Sequence, residues 1–353
     1  MQRFARLAVA AIAAVVVAHL AAARTLDIYF IDVEGGQSTL IVTPAGESLL
    51  IDTGFPGDGT FASKAASPAS ARDAGRIVLA ARDAGVKQID YLLITHFHAD
   101  HDGGVVELAQ QLPIRTFIDH GSVGADAEEN VKGTLEVFAA YAAVRAKGKH
   151  IEPAPGDRLP MKEIDAVVVS SAGKTLTTPL DGAGARNEAC GPTATPAQEP
   201  HENPRSTGIV LQFGRFRFLD VGDLSGPPLF ALVCPADLVG PVDAYLVAHH
   251  GGVDAVDPAT FAAFKPRAAI VNNGATKGGA PEVFTALRAA RGIEDVWQLH
   301  TSRNPGAQNF ADDRIANLDE TTAHWIKLSA SADGSFSVTN GRTGAAKNYA
   351  PRR

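Results

Sequence analysis

Residues 92–104, LLITHFHADHDGG, place three histidines and two aspartates within seven residues, directly after an apolar run. His96 and His98 are two residues apart, so in an extended segment both rings face the same side, where one metal ion can bind both. Asp100 and His101 follow once the chain has turned, and they can face a second ion beside the first. Two glycines then allow a helix to begin close to this cluster. The residue types and their spacing therefore predict a metal site.

Further candidate ligands lie more than a hundred residues downstream. Asp223 in FLDVGDLSG and the histidine pair in YLVAHHGG each follow a predicted strand. Because α/β folds gather their chemistry at the carboxyl ends of strands, we expect Asp223 to bridge two ions and one imidazole to complete the site. Spacing alone does not decide between His249 and His250. We favour His249 as the metal ligand because it comes first off the strand, which leaves His250 beside the site.

Imidazoles mixed with carboxylates suit zinc better than magnesium or calcium, and manganese or iron are the alternatives. We expect two ions per chain. A water molecule shared by two such ions ionises near neutral pH, and the resulting hydroxide can attack an ester, amide or phosphoester. In this scheme Asp100 and Asp223 are the catalytic residues, and Asp223 also orients the hydroxide.

The elements around the cluster alternate between strands and helices. Short β-rich runs at 26–33, 38–43 and 48–54 indicate a meander, and the run at 89–95 is apolar without alternation, which is typical of a strand buried on both faces. A second series of strands begins at residue 207. This pattern predicts an α/β fold with four layers, an αββα sandwich of two mixed β-sheets flanked by helices.

The ends of the chain and one internal stretch differ in composition. Residues 1–23 have a basic start, an apolar run and a small-residue end, which predicts a signal peptide and export to the periplasm or the medium; a membrane anchor is the alternative. Residues 24–345 then form a single domain without a membrane segment. Within it, the Gly- and Pro-rich stretch 174–204 predicts a surface insertion, and residues 346–353 a loose tail.

Cys190 and Cys234 are the two cysteines of the chain. In an exported protein they meet an oxidising compartment, which favours a disulfide. The alternative, two thiolate metal ligands, lacks the usual C-x-x-C spacing.

The formal net charge is −7 and no broad basic stretch occurs. Tight binding to long nucleic acids depends on neutralising many phosphates, so the composition disfavours such a partner. A small or short anionic ester remains a suitable substrate. The sequence does not indicate an oligomeric state.

The motifs together resemble those of the metallo-β-lactamase-fold hydrolases. THFHADH with its two following glycines matches their signature, and LLIDTG, VGD and AHHGG stand where that superfamily has its further motifs, over residues 26–340. VEGGQS and the HHG ending are similar to the hydrolase domain of bacterial competence (DNA-uptake channel) proteins and related exported hydrolases. The resemblance implies the αββα fold and metal-dependent hydrolysis.

Carried onto this sequence, the family pattern implies one zinc held by His96, His98 and a late histidine. The other zinc takes Asp100 and His101, and Asp223 lies between the two. One departure concerns the middle strand. Many members have a further histidine there in a PGHT-like turn, but this chain reads VVVSSAG at residues 167–173.

His120 is the nearest replacement for that missing histidine, because it ends the strand beside the cluster; the alternative is a hydrogen-bonded loop histidine. His201 is a weaker candidate.

Several other residues are assigned supporting roles by the resemblance. Asp52 in LLIDTG resembles an early aspartate that supports the site without binding metal. Residues Asn203, Arg205 and Ser206 in ENPRS are similar to the polar approach to a strand that lines the cleft in the competence relatives. We expect Arg205 to hold an anionic substrate.

The favoured function is an exported dinuclear zinc hydrolase acting on a phosphoester, as a phosphodiesterase or nuclease-like enzyme. A lactonase or β-lactamase-like hydrolase is the alternative within the same chemistry. A non-catalytic, metal-stabilised binding protein is the alternative from another class, supported by the absent middle-strand histidine and opposed by the otherwise full ligand set. A redox relative with iron and a flavin partner is disfavoured because no flavin domain follows.

Overall fold

The computed structural model describes residues 25–191, 201–255 and 257–352, and in this part of the chain the strands form two sheets. The first sheet has nine strands in the order β17-β16-β15-β1-β2-β3-β4-β5-β6. Its strands are β1 (Leu26–Phe30), β2 (Thr39–Val42), β3 (Ser48–Ile51), β4 (Ile89–Leu93), β5 (Ile114–Ile118), β6 (Lys149–Ile151), β15 (Ile326–Ala330), β16 (Phe336–Asn340) and β17 (Ala346–Tyr349).

The second sheet has eight strands in the order β14-β13-β12-β11-β10-β9-β7-β8. Its strands are β7 (Asp165–Ser171), β8 (Lys174–Thr175), β9 (Gly208–Phe213), β10 (Phe216–Asp220), β11 (Ala244–Leu246), β12 (Ala268–Val271), β13 (Asp295–His300) and β14 (Ile315–Asn317). Each sheet mixes antiparallel and parallel pairs.

Helices cover the outer face of each sheet, so three apolar clusters separate four layers. The helices are α1 (Arg72–Asp83), α2 (Ala99–Asp102), α3 (Val105–Ala109), α4 (Ala127–Asn130), α5 (Thr134–Arg145), α6 (Gly226–Val233), α7 (Pro258–Phe264) and α8 (Pro281–Ala289). Phe30 of the first sheet meets Phe218 of the second, with ring centroids 5.8 Å apart. The predicted αββα sandwich is confirmed.

Burial on both faces explains why the strands are apolar without alternation. In β7, Val168 packs into the cluster between the sheets, while Val167 and Val169 pack under the helices of the second sheet. Successive side chains point to opposite faces of a strand, so a strand covered on both sides needs apolar residues at every position.

Parallel strands bring the predicted ligands to one edge of the sandwich. Strands β3 to β6 run parallel in the first sheet, and β10 to β14 run parallel in the second. The carboxyl ends of β4, β10 and β11 precede the histidine cluster, Asp223 and the histidine pair, respectively. The loops that follow these strands therefore meet at the same rim, as expected for α/β architectures.

The tail predicted to be loose is part of the fold, and that prediction is corrected. Residues 346–349 form β17, which pairs antiparallel with β16 at the edge of the first sheet. Arg352 then donates to the Asp243 carboxylate at 3.0 Å. Aromatic stacking adds to this, because the Tyr349 ring lies flat against Phe336 with centroids 4.2 Å apart.

The predicted insertion at 174–204 follows the surface of the second sheet where it is described. Leu180 and Gly184 donate backbone hydrogen bonds to Leu238 and Asp237. Cys190 and Cys234 form the predicted disulfide, which ties this segment to the end of α6. Residues 192–200, like the proposed signal peptide at 1–23, lie outside the described residues. Among the described residues, no helix has the length and apolar character needed to cross a membrane.

Candidate metal centre

Four buried side chains converge where the two sheets meet at the rim: Asp100, His101, Asp223 and His250. The Nε2 atom of His101 lies 3.3 Å from Asp100 Oδ2 and 3.2 Å from Asp223 Oδ2. The Nε2 atom of His250 repeats these distances, 3.3 and 3.2 Å to the same two oxygens. Two ligands of one tetrahedral zinc ion are about 3.3–3.6 Å apart, so the four donor atoms have the spacing of one metal site.

A second set of nitrogen donors lies beside the first. His96 Nε2 is 3.0 Å from His98 Nδ1 and 3.9 Å from Asp223 Oδ2. The other ring nitrogen of His96 faces the Thr95 hydroxyl at 3.1 Å, which turns Nε2 toward Asp223. Asp223 therefore lies beside both sets, and its expected role in bridging two ions stays a prediction.

Unsatisfied polar atoms show that the residues fit a bound metal. His101 Nε2, His250 Nε2 and Asp223 Oδ1 are buried and make no hydrogen bond within the described part of the chain. Leaving a buried polar atom without a partner costs roughly 1–3 kcal/mol, which a fold tolerates where a ligand satisfies the group. Imidazole nitrogens and carboxylate oxygens pointing at one another from three separate loops form a donor set typical of zinc, manganese or iron sites.

The protonation states also suit metal binding. Burial lowers the pKa of His96 well below its usual range and that of His98 to about 4, so both rings are neutral at neutral pH. Burial alone would raise the pKa of Asp223, but the adjacent His101 and His250 hold it well below its usual range. Burial alone would lower the pKa of His101, but the carboxylates of Asp223 and Asp100 raise it well above its usual range, so a metal ion would displace the His101 proton. Neutral imidazoles and ionised carboxylates are the forms that bind metal ions.

Asp52 orients His101 from behind, in the supporting role predicted for it. It follows β3, and its Oδ2 lies 2.7 Å from His101 Nδ1. The same carboxylate accepts hydrogen bonds from the Thr95 backbone N–H at 2.8 Å and the Thr95 hydroxyl at 2.7 Å. Because a carboxylate holds the proton on Nδ1, the lone pair of His101 is on Nε2, facing the other donors.

The replacement Asp52→Asn is expected to weaken metal binding by roughly 10–100-fold, since the amide removes the negative charge that fixes the imidazole. Competition with a chromogenic chelator measures this change. The exposed replacement Asp58→Asn, in a loop close in sequence, serves as a control. Wild-type affinity in Asp52→Asn would contradict the supporting role.

The glycine-rich segment VEGGQS packs directly on the ligand loop. A Cβ atom on Gly36 would lie 2.5 Å from the carbonyl oxygen of Asp100, so this position has no room for a larger residue. Gln37 donates its backbone N–H to the same carbonyl at 3.1 Å, and its amide group donates to Asp220 at 3.0 Å. The segment therefore links the loop after β4 to the end of β10.

Lys277 is a site residue that sequence reasoning missed. It follows β12, and its Nζ lies 2.5 Å from Asp100 Oδ2 and 2.6 Å from the Gly35 carbonyl oxygen. Nothing in the local sequence IVNNGATKGGAPE indicates a ligand; the only signal is its position after a strand whose carboxyl end reaches the same rim. Beside it, the Phe61 ring lies 5.8 Å from Nζ and is about half exposed.

A cleft of about 340 Å³ opens above these side chains. Its wall contains donors of both sets, the Lys277 ammonium group and the Phe61 ring. The lining residues are Phe61, His98, Asp100, Asn130, Val131, His201, Asn203, Asp223, His249 and Lys277.

The expectation that His250 lies beside the site is corrected, while the assignment of His249 as a metal ligand stays a prediction. His250 is the member of the pair in the four-residue cluster, and it is 1% exposed. His249 Nε2 lies 3.6 Å from Asp223 Oδ2. Both residues adopt left-handed backbone angles, φ 50° and 53°, which direct adjacent rings to different places. Order along the chain does not predict this geometry.

His120 does not replace the missing middle-strand histidine, and this prediction is corrected. Its Nε2 pairs with Glu202 Oε2 at 3.0 Å, and its ring packs against Phe97 with centroids 4.4 Å apart. Glu202 is fully buried and also accepts the Gly124 backbone N–H at 2.5 Å. A buried carboxylate needs such partners, and His120 provides one of them.

The ENPRS residues have different positions. Asn203 lines the cleft, with Nδ2 3.4 Å from His249 Nε2. Arg205 contacts Glu202 at 3.4 Å and the Ser122 carbonyl at 3.1 Å and is not among the residues that line the cleft, and its expected role in holding the substrate stays a prediction. Ser206 is buried, and its carbonyl accepts the Ser170 hydroxyl at 2.8 Å. His201 is at the cleft wall.

Comparisons with known proteins identify the family of the chain. The family model of the metallo-beta-lactamase superfamily matches residues 31–271, whereas no curated protein matches the chain. Among solved structures, the HARLDQ-motif metallo-beta-lactamase of Cronobacter sakazakii is 19% identical, with 57% of this chain and 61% of that chain covered and a TM-score of 0.33. This chain thus spans about three fifths of that protein.

Two further solved structures are similar. Igni18, a metallo hydrolase from the archaeon Ignicoccus hospitalis, is 13% identical, with 79% and 97% of the two chains covered and a TM-score of 0.43. A diphosphatase of the PhnP family is 11% identical, with 85% and 97% covered and a TM-score of 0.38. The family match itself covers more than half of this chain and contains the histidine cluster, Asp223 and the histidine pair. The chain therefore belongs to the metallo-β-lactamase superfamily.

Proposed function

We propose that this metallo-hydrolase is exported, binds two zinc ions and cleaves a small anionic phosphoester. The observation that carries the proposal is the Lys277 ammonium group in the same cleft as the carboxylates of Asp100 and Asp223. A cation next to a metal centre stabilises an anionic substrate, and a phosphoester gains charge on its oxygens during hydrolysis. Manganese and iron are the alternatives to zinc for this donor set.

The volume of the cleft and the net charge of the chain favour a small substrate. The cleft measures about 340 Å³, which is the lower range of small-molecule sites. The formal net charge of −7 opposes binding to a long polyanion. The charged cleft is therefore suited to a compact ester with one or two phosphate groups.

When bound, the two metal ions would supply an activated water molecule and polarise the ester. The protein residues position the reactants. Asp223 contacts both donor sets, so its carboxylate would help to hold both ions. Lys277 faces the cleft from the side of Asp100 and binds the non-reacting phosphate oxygens. Phe61 covers one wall and limits the access of water to that side.

Export is proposed from two features. The Cys190–Cys234 disulfide is stable in an oxidising compartment, and residues 1–23 have the composition of a signal peptide. Mass spectrometry of the mature protein, isolated from the periplasm or medium of the producing cell, would show a new N-terminus near residue 24 if export occurs. An intact Met1 in the cytoplasm would contradict it.

The function is tested by measuring metal content and hydrolysis together. The purified protein is loaded with zinc, manganese or iron and assayed on a chromogenic phosphodiester, a phosphomonoester, a lactone and a chromogenic β-lactam. Two ions per chain and turnover of a phosphoester support the proposal. Turnover of the lactone or the β-lactam alone would show that the substrate is one of these classes and not a phosphoester. Bound metal without any turnover would favour a binding protein.

Lys277→Met is expected to reduce kcat/KM for a phosphodiester by about 10–100-fold, chiefly through KM. A hydrogen bond to a charged group contributes roughly 1.5–3 kcal/mol, and each 1.4 kcal/mol corresponds to about tenfold. Lys277→Arg, which keeps the charge, should restore part of the loss, and Lys347→Met at the surface should have no effect. An equal loss on a neutral ester would show that Lys277 supports the metal site instead of the substrate.

A further inference from the structure

The middle strand of the second sheet does not supply a metal ligand in this chain. Ser170, in β7, donates its hydroxyl to the Ser206 carbonyl at 2.8 Å and accepts the Gly208 backbone N–H at 3.0 Å. The adjacent Ser171 hydroxyl lies 3.3 Å from that of Thr207. Both serines therefore join β7 to the start of β9. His96, His98 and the shared carboxylate of Asp223, which would form the first metal position, need another ligand from elsewhere.

His249 contacts the carboxylate that His96 also approaches, although it is not part of the four-residue cluster. Its Nε2 lies 3.6 Å from Asp223 Oδ2, within the ligand separation of about 3.3–3.6 Å expected at a tetrahedral ion. The same oxygen is 3.9 Å from His96 Nε2, so His249 and His96 approach one carboxylate atom. His249 also lines the cleft beside His98.

Asp254 determines which nitrogen of His249 faces the cleft. Both carboxylate oxygens of Asp254 lie 2.7 Å from His249 Nδ1. A carboxylate accepts hydrogen bonds, so Nδ1 carries the proton and the lone pair is on Nε2. A histidine whose outer nitrogen donates to a carboxylate is the common arrangement of a metal ligand. The Asn203 amide nitrogen, 3.4 Å from Nε2, also faces that lone pair.

The backbone explains how two consecutive histidines serve two different sets. A left-handed conformation in a residue other than glycine costs about 1–2 kcal/mol, and His249 and His250 both adopt it, with φ of 50° and 53°. Hydrogen bonds hold this turn on both sides: His249 N–H donates to Gly222 O at 3.1 Å, and Gly279 N–H donates to His250 O at 2.8 Å. Strain maintained in this way is typical of functional sites.

We propose that His249, oriented by Asp254, is the third nitrogen ligand of the first metal position and takes the place of the histidine absent from β7. The inference rests on the metal-dependent function proposed above but not on the substrate. It assigns His96, His98, His249 and Asp223 to one ion, and Asp100, His101, His250 and Asp223 to the other. Each of the two histidines of the HHG motif would thus bind one ion.

The test is metal stoichiometry by plasma mass spectrometry, together with cobalt(II) titration followed by its visible absorption. We expect two ions in the wild-type protein and one in His249→Ala, with cobalt bands of the second position unchanged. His250→Ala should lose the other ion and those bands. Asp254→Asn should keep both ions with about 10–100-fold weaker binding of one. His324→Ala, away from the cleft, is the control for a lost imidazole.

Two ions bound with wild-type affinity in His249→Ala would overturn this inference and leave the proposed function intact. Loss of the first ion in His201→Ala, with His249→Ala unaffected, would assign the position to His201. A wild-type protein without bound metal would instead refute the proposed function itself. Circular dichroism and the melting temperature of each variant show whether a loss of metal reflects a loss of fold.

Discussion

The replacement Asp223→Asn is expected to remove at least one bound metal ion and to reduce hydrolysis by about a thousandfold or more. The Oδ2 atom of Asp223 lies 3.2 Å from both His101 Nε2 and His250 Nε2 and 3.6 Å from His249 Nε2. No other carboxylate in the described part of the chain contacts both donor sets. Metal ions contribute several kcal/mol to the stabilisation of charge in such reactions, and each 1.4 kcal/mol corresponds to about tenfold in rate.

Asp220→Asn provides a matched control for that experiment. Asp220 is a buried aspartate three residues away, but its carboxylate accepts hydrogen bonds from Gln37 and from the Gly222 backbone instead of facing histidines. Burial raises its pKa to about 7, so the wild-type group is already partly neutral at neutral pH. Asp220→Asn should therefore retain both ions. Retention of both ions and of activity in Asp223→Asn would contradict its bridging role.

Removal of the disulfide is expected to lower the free energy of unfolding by about 4 kcal/mol. The bond joins cysteines 44 residues apart, and closing a loop of this length restricts the unfolded chain by that amount in the chain-entropy model. For a chain of this size, the corresponding decrease in melting temperature is roughly 6 °C. Loss of the disulfide should not change the metal content, because Cys234 follows α6 and packs in the apolar cluster on the outer face of the second sheet.

Differential scanning calorimetry of the wild-type protein and of the Cys190→Ser, Cys234→Ser double variant measures this effect. A reducing agent should lower the melting temperature of the wild-type protein and leave that of the double variant unchanged. Asn187, which donates to the carbonyls of Val233 and Ala259, also holds the segment in place, so the fold should survive. An unchanged melting temperature on reduction would refute the predicted stabilisation.

Short-range features of the sequence were sufficient to predict the fold class and most of the donor set. The spacing of His96, His98, Asp100 and His101 is contained in one turn after one strand, so the local chain determines how these residues face. Strands that are apolar at every position indicate burial on both faces, which implies helices outside two packed sheets. These relations need no knowledge of distant contacts.

Contacts between distant segments were decided by the tertiary structure alone. Lys277 meets Asp100 across 177 residues of sequence, and His120 meets Glu202, because the order of the strands brings their loops to one rim. The residues around Lys277 have no motif that marks this contact. A prediction from spacing cannot supply it, since loop conformation and strand order together determine which side chains meet.

In the histidine pair, local sequence predicted one feature and the tertiary structure decided another. The sequence by itself determined that a histidine after β11 would reach the site, because β11 and β10 are parallel and end at the same rim. Only the tertiary structure decided that His250 joins Asp100 and His101 while His249 turns to Asp254. The physical reason is the left-handed backbone of both residues. It is maintained by a hydrogen bond from His249 N–H to the Gly222 carbonyl and one from Gly279 N–H to the His250 carbonyl, and these residues meet only in the folded protein.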